Sequence, residues 1–216
     1  MMDRQCYRSK GCLIGLTLLL LVCGCNTGGG QGVAFRDDFE DPRGNWASDQ
    51  REQFDRGYAG SEYFIELHEP NWFAWSNPGA QFDDASVEVN AYLSAGSQDG
   101  HFGVLCRYAD AASFYYFAIS ADGYYAIFGR KGGGELDVLS GDGDGMTFSS
   151  IIRTGGQTNN IQAVCQGDEL SLYVNGELLE TVVDSTHSRG DVGLGAGSGP
   201  QGDARVQFDD FAAIRP

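Results

Sequence analysis

Between His101 and Arg130 the stretch HFGVLCRYADAASFYYFAISADGYYAIFGR carries three apolar, aromatic-rich runs around two short turns, Asp110-Ala111-Ala112-Ser113 and Ala121-Asp122-Gly123. Runs of this length with such punctuation predict an antiparallel meander of three strands. Nine of the chain's aromatic residues fall here: Phe102, Tyr108, Phe114, Tyr115, Tyr116, Phe117, Tyr124, Tyr125 and Phe128. Side chains alternate along a strand, so about half of these rings must point away from any core beneath the meander. The rest of the chain must either cover those rings or leave them for a ligand.

The rest reads in the same period of two. Tyr63, Ile65 and Leu67 alternate with Phe64, Glu66 and His68. In the long run from Phe82 to Leu93, Val87, Val89, Ala91 and Leu93 share one face, and Glu88, Asn90 and Tyr92 the other. Asn160–Gln166 and Glu169–Val174 are strands around Gly167-Asp168, and Asn175-Gly176, the strongest hairpin dipeptide in the chain, leads into Glu177–Val183. A first strand in VAFRDD, Trp46 as a core or lid ring, a weak strand at Leu136–Leu139 and two strands in GDVGLGAGSGPQGDARVQFDDFAAI complete the set. No amphipathic helix and no internal repeat stands out. The pattern predicts an all-β fold, an antiparallel two-sheet β-sandwich of the jelly-roll type, over residues 34–216.

The first residues belong to a different kind of segment. Arg4, Arg8 and Lys10 precede the apolar run Leu13–Val22, which has the charged start of an export signal and is short for a membrane span. Val22-Cys23-Gly24-Cys25 resembles a bacterial lipobox, which implies a signal peptide over 1–24, lipidation at Cys25 and a glycine-rich tether through residue 33. The expected location is the bacterial cell envelope, outside the cytoplasm, with the acyl anchor in a lipid bilayer.

The leader holds three of the 14 Lys and Arg residues and one of the 30 Asp and Glu residues. The remaining chain is therefore strongly acidic, which argues against nucleic acid as a partner. Four of the six cysteines lie at or before residue 25, leaving Cys106 and Cys165, both on the apolar parity of their strands. In an exported protein they are either a disulfide or two buried thiols.

The segments DDF…GNW, GVLCRY, FYYFAIS-x-DGYY, N-x-IQAVCQGDELSLYVNGELL and GDVGLGAG…VQFDDF resemble the concanavalin A-like lectin/glucanase superfamily, in particular laminin-G-like and 3-keto-disaccharide hydrolase-like jelly rolls of bacterial lipoproteins. The resemblance spans Phe35–Ile214 and implies two curved sheets that handle carbohydrate on a face or rim. It also implies a structural calcium ligand at Asp210, completed by carbonyls near Glu40 and Asp41. The Glu-x-Asp-x-x-Glu strand of the family 16 glycosidases is absent, and no pair of carboxyls stands out that would flank a scissile bond.

Candidate ligand-binding residues follow from combining rings with planar polar groups, since rings stack on a sugar's C–H face while polar groups take its hydroxyls. Trp72 and Trp75 lie in the loop-like stretch Glu69–Gln81 and are the expected stacking platform. Tyr116, Tyr124, Phe128 and Arg107 are expected on the outward side of the meander, and Glu88, Asn90 and Tyr92 on that of the long strand. Alternatively, a loop such as Glu69–Gln81 covers the rings as a second small core. Asp142-Gly143-Asp144-Gly145 lacks the closing Glu of a calcium loop and reads as a solvated turn. His68, His101 and His187 have no zinc-ligand spacing. The function expected is a non-catalytic, glycan-binding module. Two alternatives stand beside it: an enzyme on a modified disaccharide with Glu88 or Glu66 as general base, and a protein-binding scaffold domain.

Overall fold

The computed structural model describes residues 33–216; the expected signal peptide, Cys25 and most of the expected tether lie outside the described residues. Seventeen strands are present among them: β1 (Val33–Asp37), β2 (Asp49–Gln50), β3 (Phe54–Ala59), β4 (Glu62–Leu67), β5 (Phe73–Ser76), β6 (Gln81–Phe82), β7 (Ala85–Gly96), β8 (His101–Asp110) and β9 (Ser113–Ser120). They continue with β10 (Tyr124–Arg130), β11 (Asp137–Val138), β12 (Thr147–Phe148), β13 (Asn159–Gln166), β14 (Glu169–Val174), β15 (Glu177–Val183), β16 (Gly190–Gly197) and β17 (Ala204–Ile214).

All pairings are antiparallel, and the strands form two sheets. The first runs β15-β14-β13-β7-β17-β4-β3-β2, with β1 taking the edge of β17 beyond β4. The second runs β11-β10-β9-β8-β16-β5, with β12 on β10 and β6 on β16. Between the sheets lies one core, built from the alternate residues that the sequence periodicity selects: Val87, Val89 and Ala91 on β7, Ile161 and Ala163 on β13, Val104 on β8, Phe117 and Ile119 on β9, and Ile127 on β10. Trp46 belongs to it, packed edge-on to Phe211 at 4.9 Å and donating from its indole N–H to Asp37 Oδ2. The Asn175-Gly176 turn has both residues at positive φ, 54° and 85°, the conformation that suits a two-residue hairpin.

The core is tied across its thickness. Cys106 on β8 and Cys165 on β13 form a disulfide that links the two sheets and closes a separation of 59 residues. For a loop of that length the chain-entropy estimate is about 4 kcal/mol of stabilisation, through the unfolded state. Reduction, or the double variant Cys106→Ala/Cys165→Ala, is expected to lower the urea-derived unfolding free energy by about that amount. A loss below about 1 kcal/mol would show that the bond does not constrain the unfolded chain.

Candidate functional site

The second sheet is apolar on both faces. Its outer face carries Leu105, Phe114, Tyr116, Ala118, Ala126 and Phe128 as a second buried cluster, with Phe73, Trp75, Leu136, Val138 and Met146 packed against it. Tyr116 and Phe128 thus sit on the outward parity, but they are not exposed, at 0% and 6% of their surface. Part of the cover comes from the segment Lys131–Ser149, whose Leu136, Val138 and Met146 pack against the cluster and whose Val138 pairs with Phe128 at the edge of the sheet. The stretch Glu69–Gln81 shares in the cover through Phe73 and Trp75, though as a strand and not as a loop: its Phe73–Ser76 portion belongs to the same sheet, paired with β16.

The cover is incomplete, and a groove of about 800 Å³ remains beside it, lined by Asn71, Trp72, Phe73, Trp75, His101, Arg130, Glu135, Leu136 and Ser198. Phe73 and Trp75 stack at 5.7 Å, and Phe73 lies 6.0 Å from His101 and 4.9 Å from Tyr116. These rings can cross β16 because its outward positions there are Gly195 and Gly197. A Cβ at Gly195 would stand 2.9 Å from the Tyr116 ring and 3.0 Å from Phe73, and one at Gly197 would enter the His101 imidazole. Trp72, 40% exposed, is held at the rim by the buried Ser198: Trp72 N–H donates to Ser198 Oγ at 3.0 Å, and Ser198 N–H donates to the Trp72 carbonyl at 2.9 Å. The Arg130 guanidinium lies 5.8 Å over the Phe114 ring and donates to the Gly134 carbonyl at 2.8 Å.

Burial among rings holds the His101 pKa down to about 4, so its imidazole is neutral at physiological pH. Asp191, on the same outward parity of β16, has Oδ1 enclosed without a partner, and desolvation raises its pKa above the ordinary aspartate value.

The remaining sequence candidates are dispersed. Arg107, expected outside, is 2% exposed, because a bulge between Cys106 and Asp110, with Arg107 at φ 52°, breaks the alternation there. Its guanidinium donates to the Asp83 carbonyl, the His187 carbonyl and Asp84 Oδ1, each at 3.0 Å, so it ties loops together. Tyr124 is exposed, but it packs on Phe148 at the far end of β10 from Arg130, about 20 Å away at ordinary strand rise. Glu88, Asn90 and Tyr92 lie on the outer face of the other sheet, across the sandwich from the groove. There Tyr92 donates to Glu62, and Asn90 donates to Asp210 Oδ2 at 3.1 Å. Glu66, on that sheet as well, pairs with Arg205 at 2.5 Å. Asp210 sits in a bulge of β17, at φ 53°. Among the described residues no group of three or more His, Cys, Asp or Glu comes together to hold a metal.

Trp72 and Trp75 are therefore the two candidates that the fold brings together in one groove. It adds Asn71, Phe73, His101, Arg130, Glu135 and Ser198. The parity of β8, with Phe102, Val104 and Cys106 inward, already placed His101 outward.

No family model matches the sequence, and no curated protein resembles it in sequence. Solved structures do share its fold. The chain is similar to the carbohydrate-binding module CBM66 from Bacillus subtilis, with a TM-score of 0.58 and 18% identity, covering 79% of this chain and 91% of that one. It is also similar to a protein of unknown function with a galectin-like fold from Bacillus subtilis, at TM-score 0.60 and 11% identity over 87% and 99% of the two chains. A third likeness is to SCLam, a non-specific endo-β-1,3(4)-glucanase from family GH16, at TM-score 0.60 and 11% identity over 85% and 91%. At these identities the likeness is one of fold, the two-sheet jelly roll.

The raised pKa of Asp191 gives stability a pH dependence of fixed sign. The native state holds the proton more tightly than the unfolded chain does, so stability falls as pH rises from the ordinary aspartate range through the raised value. Asp191→Asn is expected to melt at a higher temperature than wild type at pH 7, with the difference closing near pH 4. Equal melting temperatures at both pH values would mean that the enclosed carboxylate costs nothing.

Proposed function

We propose that the protein is a lipid-anchored module of the bacterial cell envelope that binds glycan, without catalysis, in the groove on the outer face of its second sheet. The observation that carries this reading is the convergence of Trp72, Phe73 and Trp75 with Asn71, His101, Arg130 and Glu135 in one groove. Rings that can stack on a sugar's C–H face beside groups that can take its hydroxyls are the combination a glycan site requires. The neighbours lend support, since one is a carbohydrate-binding module and another a glucanase.

Binding is favoured over hydrolysis by the carboxylates. Glycoside hydrolysis ordinarily uses two carboxyls flanking the bond, and Glu135 is the one acidic residue among the described residues that line the groove. Glu88 and Glu66, the residues that would have served as general base, face the opposite side of the sandwich. Anchoring is read from the leader sequence and Cys25, with the glycine-rich Asn26–Gly32 as the spacer.

Two measurements test the reading. In a glycan array followed by calorimetry, Trp72→Ala and Trp75→Ala are each expected to weaken binding about tenfold or more, or ~1.4 kcal/mol. Unchanged affinity in both would remove the stacking platform. Separately, Cys25→Ser is expected to move the protein from the membrane to the soluble fraction; continued membrane association would refute the acyl anchor.

A further inference from the structure

The hydrogen bonds at the groove floor fix which nitrogen of His101 carries the proton. Tyr116 Oη lies 3.2 Å from the Gly195 carbonyl oxygen and 3.2 Å from His101 Nδ1. A carbonyl only accepts, so for both contacts to be hydrogen bonds the single phenolic hydrogen must go to Gly195. The contact with His101 then needs its hydrogen from the imidazole, and Nδ1–H donates to the Tyr116 oxygen. A neutral imidazole has one N–H, which leaves Nε2 a bare acceptor. No hydrogen bond engages that atom among the described residues.

The ring's setting keeps it in this state. It is flanked by Phe73 from β5, at 6.0 Å, by Phe128 from β10, at 5.5 Å, and by Tyr116 from β9, while Gly197 of β16 leaves it room. The charged groups facing the groove are Arg130 and Glu135. Arg130 stands over Phe114, and burial favours the neutral imidazole.

We infer that His101 Nε2 is the acceptor that reads a hydroxyl hydrogen of an uncharged sugar, which makes His101 a specificity-determining residue of the groove. The inference rests on the glycan reading of that groove and narrows it. A ligand hydroxyl can donate to Nε2, whereas a carboxylate or sulfate ester there would set acceptor against acceptor. A site built to pair with a hydroxyl discriminates strongly against ligands that leave its buried partner unmatched. Recognition through a neutral imidazole also stays constant from pH 8 to about 5 and fails as His101 gains a proton near pH 4.

Two independent measurements test this. In the ligand-free protein, ¹⁵N shifts of labelled histidine side chains, with His101→Gln to assign the signal, are expected to show Nδ1 protonated and Nε2 unprotonated between pH 5 and 8. A protonated Nε2 overturns the inference whether or not any glycan binds. In the second, laminarihexaose, xylohexaose, cellohexaose and galactan oligosaccharides are compared with oligogalacturonate by calorimetry against wild type, Trp75→Ala and His101→Phe, the last keeping an aromatic ring in place. The expected result is binding of an uncharged oligosaccharide in preference to oligogalacturonate, weakened tenfold or more in His101→Phe with the melting temperature preserved. Binding lost in Trp75→Ala but unchanged in His101→Phe, or a preference for oligogalacturonate, overturns the role of His101 and leaves the groove a glycan site. No binding to any oligosaccharide, with the tautomer as assigned, overturns the glycan reading and the inference with it.

Discussion

A sheet that is apolar on both faces governs this structure. Phe117 and Tyr116 are neighbours on β9 and point to opposite sides, and both are fully buried, one in the inter-sheet core and the other in the outer cluster. An antiparallel sheet of a sandwich ordinarily leaves one face to water. Here the outer face must be covered, and the chain covers it with the rings of β5 and with Leu136, Val138 and Met146 from the segment after β10. The groove is the part of that face which the cover does not reach.

Close packing on that face depends on β16. Its outward glycines remove side chains where the rings of Phe73, Tyr116 and His101 converge, so the aromatic layer continues from one strand to the next. That layer in turn desolvates His101 and fixes its hydrogen bond to Tyr116. The scaffold beneath is held by the cross-sheet disulfide and, at the end of β8 away from His101, by the buried Arg107, whose guanidinium pins two loops. The rings of the groove are thus mounted on strands, and only Trp72 depends on a loop, which Ser198 clamps.

Much of the fold was legible in the sequence because a strand has a period of two. Alternation assigned Val87, Val89, Phe117, Ile119 and Ile127 to the core, and placed Tyr116 and Phe128 on the opposite face. It failed at Arg107, where a bulge adds a residue and breaks the period. It was also silent about cover, since whether an outward ring meets water depends on a segment distant in sequence. Part of the candidate site was legible as well. Trp72 and Trp75 do share one groove, whereas Glu88, Asn90 and Tyr92 are exposed candidates from the wrong sheet.

The sequence by itself determined the strands, their facing and the class of architecture, because these follow from local alternation and turn chemistry. It also supplied the lipobox-like stretch Val22–Cys25 and the excess of aromatic residues that had to be accommodated. Only the tertiary structure decided which strands share a sheet, which distant residues pack over the outer rings, and that His101 lines the same groove as Trp75 with its Nδ1 against Tyr116. Those outcomes depend on pairings between segments far apart in the chain, such as β5 with β16, and local alternation cannot choose among such pairings.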